Sequence, residues 1–309
     1  MLDLNVTSEL PVTELELAGT EDECSYLPGQ TSRMIWRLAR RLPENRYEQL
    51  LERGWRRFGR VLFRPSCPAC SACQGLRISV TDFQPSRSQR RCREQLDQQQ
   101  IEITIQQPTL TPEHIALYNS YHNDMHHRRG WPFREITRED YYESFIDGNF
   151  SFAREFQYRH NGKLIGLGLV DITSTCLSSI YFYHDPQWRQ SGIGTWSVLQ
   201  ELHYARNHQM QWLYMGYFIS ECQSMKYKGA FRPHQLLKSF PPDNARPDCT
   251  TRIPTKSHTN KKREQPKPLP AKFSHAPVKL SVPHPQPRQH AHARTRLPHP
   301  PTTSPAEPH

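Results

Sequence analysis

The run from Ile180 to Leu237 constrains this 309-residue chain more than any other segment. A β-rich stretch, Ile180 to Tyr183, leads into a turn where Arg189, Gly192 and Gly194 stand in the spacing R-x-x-G-x-G. A helix is predicted to follow at once, because Ile193, Trp196, Val198, Leu199, Leu202 and Ala205 recur at close to helical period. Gln211 to Tyr217 then reads as a second strand. Glycines at a strand-to-helix turn let backbone N–H groups approach a ligand, and the helix N-terminus adds partial positive charge there. The pattern suits a phosphate cradle; the alternative is that both glycines only shape the turn. A basic, aromatic block comes next, Met225-Lys226-Tyr227-Lys228-Gly229 through Arg232.

Upstream, residues 43–53 (PENRYEQLLER) are predicted as a short helix that opens on proline and stops at Gly54. Arg57 to Arg64 and Leu76 to Phe83 alternate as strands on either side of a cysteine-bearing loop. Ser86 begins a basic helix, SRSQRRCREQLDQQ, and the strand Ile101 to Ile105 follows it, so a boundary between two lobes falls near Gln98. Thr111-Pro112-Glu113 caps a helix running to about Met125, and Thr137 with Asp140 caps another through Ile146. From Phe152 to Tyr183 the pattern is a β-meander whose clearest turn is Asn161-Gly162.

Charge is unevenly placed. Of the formal +10, residues 241–309 hold 12 Lys/Arg against 4 Asp/Glu, with 16 of the 27 prolines and one aromatic, Phe273. Such a segment has too little apolar surface to offset chain entropy and reads as a disordered tail. The division expected is a flexible N-terminus (1–21), a cysteine-motif lobe (22–98), a larger domain (99–240) and the tail (241–309). No apolar run approaches the ~18 residues of a membrane span, and the acidic N-terminus has no apolar signal core, so a cytoplasmic protein with no membrane partner is expected.

Several collinear motifs carry a resemblance. Tyr214-Met215-Gly216-Tyr217, then Cys222, then Met225-Lys226-Tyr227-Lys228-Gly229 and Phe231-Arg232-Pro233 resemble the C-terminal signature of aminoacyl-tRNA–protein transferases. The N-terminal half agrees: Cys24-Ser25-Tyr26-Leu27-Pro28-Gly29, Gly54-Trp55-Arg56-Arg57-Phe58-Gly59, Cys67-x-x-Cys70-x-x-Cys73 with Arg77, and Pro85-x-Arg87-Ser88-Gln89-Arg90-Arg91. The resemblance implies an α+β fold: a core like that of Gcn5-related N-acetyltransferases (GNAT-like), an N-terminal cysteine lobe and the C-terminal tail. It also implies transfer of an amino acid from the 3′ ester of charged tRNA to the α-amino group of proteins beginning with Asp or Glu, which creates a degradation signal. The partners would be Arg-tRNA or Leu-tRNA. Met215-Gly216 and Lys228-Gly229 lean towards arginine as the donor. No cofactor is needed for the chemistry, because the ester is already activated. The protein must align the amine, deprotonate it and stabilise the oxyanion with backbone donors near Tyr183 and Tyr217. Two other classes stay open: a CoA-dependent N-acetyltransferase, favoured by the R-x-x-G-x-G turn, and a non-catalytic metal-bound RNA- or protein-binding module.

Site candidates follow from the same motifs. Cys67, Cys70 and Cys73, with Cys24 as the fourth sulfur that the resemblance supplies or Cys92 in its place, suit zinc or an iron–sulfur cluster. Reduced thiols without metal, or a catalytic thiol, are the alternatives. Arg56, Arg57, Arg87, Arg90, Arg91 and Arg93 are either a solvated charged face or contacts for tRNA phosphates. Lys226, Lys228 and Arg232, interleaved with Tyr227 and Phe231, could receive the terminal adenosine or the acceptor's acidic side chain. Asp185, before Pro186, either holds a turn or binds the α-ammonium group. His126 and His127 are neighbours on a helix, so they point to different faces and chelate poorly.

Overall fold

The structure, a computed structural model, describes residues 14–252. Most of the segment expected to be disordered, residues 253–309, and residues 1–13 lie outside the described residues. The architecture is mixed α+β, built on two sheets.

The smaller sheet has four strands. β1 (Glu14–Glu23) and β2 (Thr31–Ala39) form a hairpin, and β3 (Arg56–Phe58) and β4 (Val61–Pro65) a second, in the order β1-β2-β4-β3. The sequence reads 57–64 as one strand, but Gly59 takes φ +50 and folds the stretch back on itself. A Cβ there would stand 2.1 Å from the Glu143 carbonyl oxygen, so the turn can close against its neighbour only with glycine. Between the hairpins lies α1 (Glu44–Glu52), which buries Tyr47, Leu50 and Leu51 and ends before Gly54 at φ +83.

The larger sheet has eight strands. β5 (Gln74–Ser79), β6 (Glu102–Gln106), β7 (Ala153–His160), β8 (Lys163–Ile172), β9 (Cys176–His184), β10 (Trp212–Phe218), β11 (His234–Leu237) and β12 (Cys249–Arg252) stand in the order β12-β11-β5-β10-β9-β8-β7-β6. Asn161 and Gly162, both at positive φ, make the predicted hairpin between β7 and β8. Among the described residues only the β9–β10 pair is parallel, because α5 (Ile193–Asn207) carries the chain across between them. Its apolar face, Ile193, Trp196, Val198, Leu199, Leu202 and Ala205, enters the largest core as the periodicity predicts.

Three further helices cover the sheet. α2 (Arg87–Asp97) opens on a Ser86–Gln89 capping box and α3 (Pro112–Arg129) on Thr111, ending at left-handed Gly130, a turn beyond the expected Met125. α4 (Arg138–Tyr141), capped by Thr137 and Asp140, passes into a π turn over Tyr142–Ile146. Strand β5 and helix α2 precede Gln98 yet belong to the larger sheet and its core, alongside Leu213 and Leu236. Ordered structure also reaches further towards both ends than composition suggests. Residues 14–21 lie in β1, and residues 249–252 pair with β11. Asp243 accepts hydrogen bonds from Arg37 (2.9 Å) and Arg46 (2.6 Å). Among the described residues no helix is long and apolar enough to cross a membrane.

Candidate active site

The parallel pair at the sheet centre is short. Cys176, Leu177 and Ser178 of β9 face Trp212, Leu213 and Tyr214 of β10, and there the register ends. Both strands run on, to His184 and Phe218, without a ladder between them. Arg56 stands at the parting. Its guanidinium donates to the Ser179 carbonyl on β9 and packs against Gly216 on β10, where a Cβ would stand 3.5 Å from Nε. Gly216 sits at φ +75 within the irregularity of the β10–β5 pairing, a conformation that excludes most other residues.

Two more ionisable groups are buried here. Lys228, on the 3-10 turn Lys226–Ala230, donates from Nζ to the Tyr217 carbonyl at 2.7 Å. Burial, and then the charge of Arg56, pushes its amine down to about 7. Glu201, on α5, is 1% exposed. Its Oε1 accepts from Ser179 Oγ at 3.3 Å, and its Oε2 has no partner among the described residues. Burial pushes this carboxyl up to about 8, against the opposing pull of the Ser179 hydrogen bond and Arg56. Tyr227 is half exposed, yet burial of its hydroxyl, with Tyr121 and Glu201 near, raises its pKa. Tyr181 is raised in the same way, with Tyr118, Tyr121 and Tyr26 around it. The parting of β9 and β10 is therefore a low-dielectric cleft with phenol groups around it and three ionisable groups within it.

Of the residues singled out in the sequence, Arg56, Tyr217, Tyr227 and Lys228 come together at this cleft. Arg57 does not reach a surface where phosphate could meet it. It is 4% exposed and donates to both carboxylate oxygens of Asp171, to which Tyr47 also donates. Tyr217 is held by its hydroxyl, which donates to the carbonyls of Gly54 (2.9 Å) and Phe63 (3.1 Å). Arg87, Arg90 and Arg91 are exposed along α2. Lys226 is exposed as well, and Arg232 donates to the Gly229 carbonyl at 3.0 Å. Tyr183 lies opposite Leu167 of β8, its hydroxyl 2.7 Å from that of Tyr141.

At Gly192 the glycine turn packs against Cys92. Gly192 caps α5 at φ +81, and a Cβ there would stand 2.9 Å from the Cys92 sulfur. The Cys92 thiol donates to the Gly192 carbonyl at 3.4 Å. Gly194 lies within the first turn of α5. Arg189 is paired with Asp124 at 2.5 Å. Asp185 caps the turn Pro186–Ser191, accepting from Gln187 N at 2.9 Å and from Lys163 Nζ at 2.7 Å.

Cys24 lies in the turn after β1, and Cys67, Cys70 and Cys73 in the loop between β4 and β5. Cys73 is pushed up to about 12, first by burial and then by Cys67, Cys24, Cys70 and Cys222 around it. A thiol so raised is protonated at neutral pH and a poor nucleophile. Among the described residues no three His, Cys, Asp or Glu side chains are grouped as a metal ion requires.

Sequence reasoning missed Glu201, since a glutamate in a helix ordinarily faces water. The available signal was its flanks. Ser197 and Ala205, four residues to either side, share its face and are small. Cys222 was missed as a neighbour of the cysteine set because it lies about 150 residues along the chain from Cys73.

Comparison with known proteins agrees with the motif reading. Residues 22–91 match the family model for the N terminus, and residues 113–238 that for the C terminus, of arginine-tRNA-protein transferase. The chain is 34% identical over 225 residues to an aspartate/glutamate leucyltransferase of Campylobacter jejuni, covering 73% of this chain and 93% of that protein. A protein of the same description from Helicobacter hepaticus is 34% identical over 227 residues, 74% of this chain and 93% of the other. One from Halorhodospira halophila is 36% identical over 220 residues, 70% and 90% of the two chains. Matched in both halves, the chain belongs to the arginine-tRNA-protein transferase family and is an aminoacyltransferase.

Proposed function

We propose that the chain transfers leucine from charged tRNA to the α-amino group of proteins that begin with Asp or Glu, within the cleft between β9 and β10. The observation that carries this reading is unpaired buried positive charge, full on Arg56 and partial on Lys228, whose amine is pushed down to about 7. Arg56 and Lys228 are both at least nine-tenths buried, and among the described residues neither has an ion-pair partner. The carboxyl beside Arg56, that of Glu201, is held towards its neutral form. Buried charge is costly unless it is paired. An acceptor that brings its own carboxylate supplies the missing partner.

The same charge bears on the donor. Sequence features lean towards arginine, but an arginyl group would bring a further cation to a cleft that already holds Arg56 and Lys228. The curated relatives are named leucyltransferases, and leucine adds no charge. Beyond Ser178 and Tyr214 the facing strand edges are free of each other, which supports backbone oxyanion donors near Tyr183 and Tyr217. The unit β9–turn–α5–β10, with its parting parallel strands, supports a GNAT-like core. The Cys92 thiol against Gly192 weighs against acyl-CoA as donor, since it stands where a pyrophosphate would approach the turn. The exposed arginines of α2, together with Lys226, offer a basic surface for the tRNA backbone.

The test is transfer of radiolabelled leucine or arginine from charged tRNA to peptides starting with Glu, Gln or Ala, with acetyl-CoA as a parallel donor. Leucyl transfer confined to the Glu peptide is expected. Arginyl transfer of equal efficiency, acetyl transfer, or indifference between Glu and Gln would overturn the reading.

A further inference from the structure

Glu201 does nothing for the stability of the fold that an apolar residue would not do better. Its neighbours on the helix face include Ser197, Val198 and Ala205, all buried. One carboxylate oxygen has a single, long hydrogen bond from Ser179, and the other has none among the described residues. A carboxyl in such surroundings carries a desolvation cost with little to offset it, which is the mark of a working group rather than a structural one. The groups that face it come from five elements. From β8 comes Gly168, whose Cβ, if present, would stand 3.8 Å from Oε1. From β9 comes the Ser179 hydroxyl, from β3 the Arg56 guanidinium, and from the turn after β10 the Tyr227 hydroxyl. From β7 comes Tyr158, fully buried, whose hydroxyl also lacks a partner among the described residues. Two orphaned polar atoms, Glu201 Oε2 and the Tyr158 hydroxyl, thus lie buried near each other.

We propose that Glu201 is the proton carrier of the transfer reaction, donating to the ribose oxygen that leaves and taking up the proton that the attacking nitrogen sheds. This rests on the reading of the cleft as the site of aminoacyl transfer. The acceptor's α-ammonium first loses one proton to solvent, since its ordinary pKa is near 8. The neutral amine then forms a bond to the ester carbonyl carbon, and electrons move onto the carbonyl oxygen. As that intermediate collapses, the bond from carbon to ribose oxygen breaks. Glu201 gives its carboxyl proton to this oxygen, which leaves as the free hydroxyl of the tRNA. The nitrogen, still carrying one proton too many, returns one to the Glu201 carboxylate as it becomes an amide. Glu201 ends as it began, and one proton has passed to solvent. Burial keeps the carboxyl protonated at neutral pH, where an exposed glutamate could not donate.

The experiment is single-turnover transfer by the full-length protein, from charged tRNA to a Glu-starting peptide, between pH 6.5 and 9.5. The wild type should lose rate on the alkaline side with a midpoint near 8, where the carboxyl gives up its proton. E201Q keeps the shape but cannot carry a proton. It should be slower by roughly a hundredfold or more, with the alkaline fall removed, while binding charged tRNA as the wild type does. An E201Q protein with wild-type rate, or a slow one that keeps the same alkaline fall, would show that Glu201 is structural. Far-UV circular dichroism checks that E201Q is folded. If it is not, E201D decides: a displaced alkaline midpoint supports the role, and an unchanged one overturns it. Failure of the underlying reading looks different, since the wild type itself would then transfer nothing at any pH.

Discussion

Replacing Arg56 by Gln tests whether the buried guanidinium selects the acceptor or only holds the strands apart. Glutamine keeps an amide that can donate to the Ser179 carbonyl and can pack over Gly216, so the parting of β9 and β10 should survive. What it removes is the charge. A hydrogen bond to a charged partner contributes about 1.5–3 kcal/mol, which corresponds to roughly a ten- to 150-fold change in kcat/KM. The arginine is 8% exposed, so solvent screening is weak and the upper half of that range applies. The loss should fall on Glu-starting peptides and spare Gln-starting ones, collapsing the ratio between them. The assay is kcat/KM for the two peptides at fixed charged tRNA, with thermal unfolding to confirm that the variant is folded. Removal of an unpaired buried cation should leave stability unchanged or improved. If both peptides slow by the same factor, Arg56 acts as a wedge and the acceptor's carboxylate is bound elsewhere.

Other expectations follow from particular contacts. Asp171→Asn leaves Arg57 buried without its counter-charge, and denaturant unfolding should register a loss of ~3–5 kcal/mol; less than 1 would mean that the pair is not as buried as described. Gly192→Ala adds left-handed strain of about 1–2 kcal/mol and forces the Cys92 thiol to move, so Cys92→Ala should relieve part of the loss in a double-mutant cycle. Lys228 carries a linkage effect whose sign is fixed by its lowered pKa. The folded state binds fewer protons than the unfolded one, so the penalty is full below about 7 and is relieved as pH rises towards the ordinary 10.5. Stability should therefore climb with pH across that window less steeply in Lys228→Met than in the wild type, and parallel curves by chemical denaturation would refute the assignment.

Short-range grammar was legible along the chain. The capping residues Ser86, Thr111 and Thr137, the Asn161-Gly162 hairpin and the apolar face of α5 each act over a few residues, so periodicity and turn chemistry suffice to find them. Family membership was legible too, because collinear motifs need no coordinates. The fate of individual charges was not. Arg56 and Arg57 are adjacent and chemically identical, yet one stands in the cleft and the other is paired with Asp171, 114 residues away. Glu201 reads as an ordinary helix-surface residue until β8 and β9 cover it, and Gly192 as a ligand cradle until Cys92 arrives from a distant segment. Spacing along the chain determined which elements form and which reaction class they serve. Only tertiary structure decided which ionisable groups lose their water, because desolvation depends on what packs around a side chain from strands and helices far away in sequence.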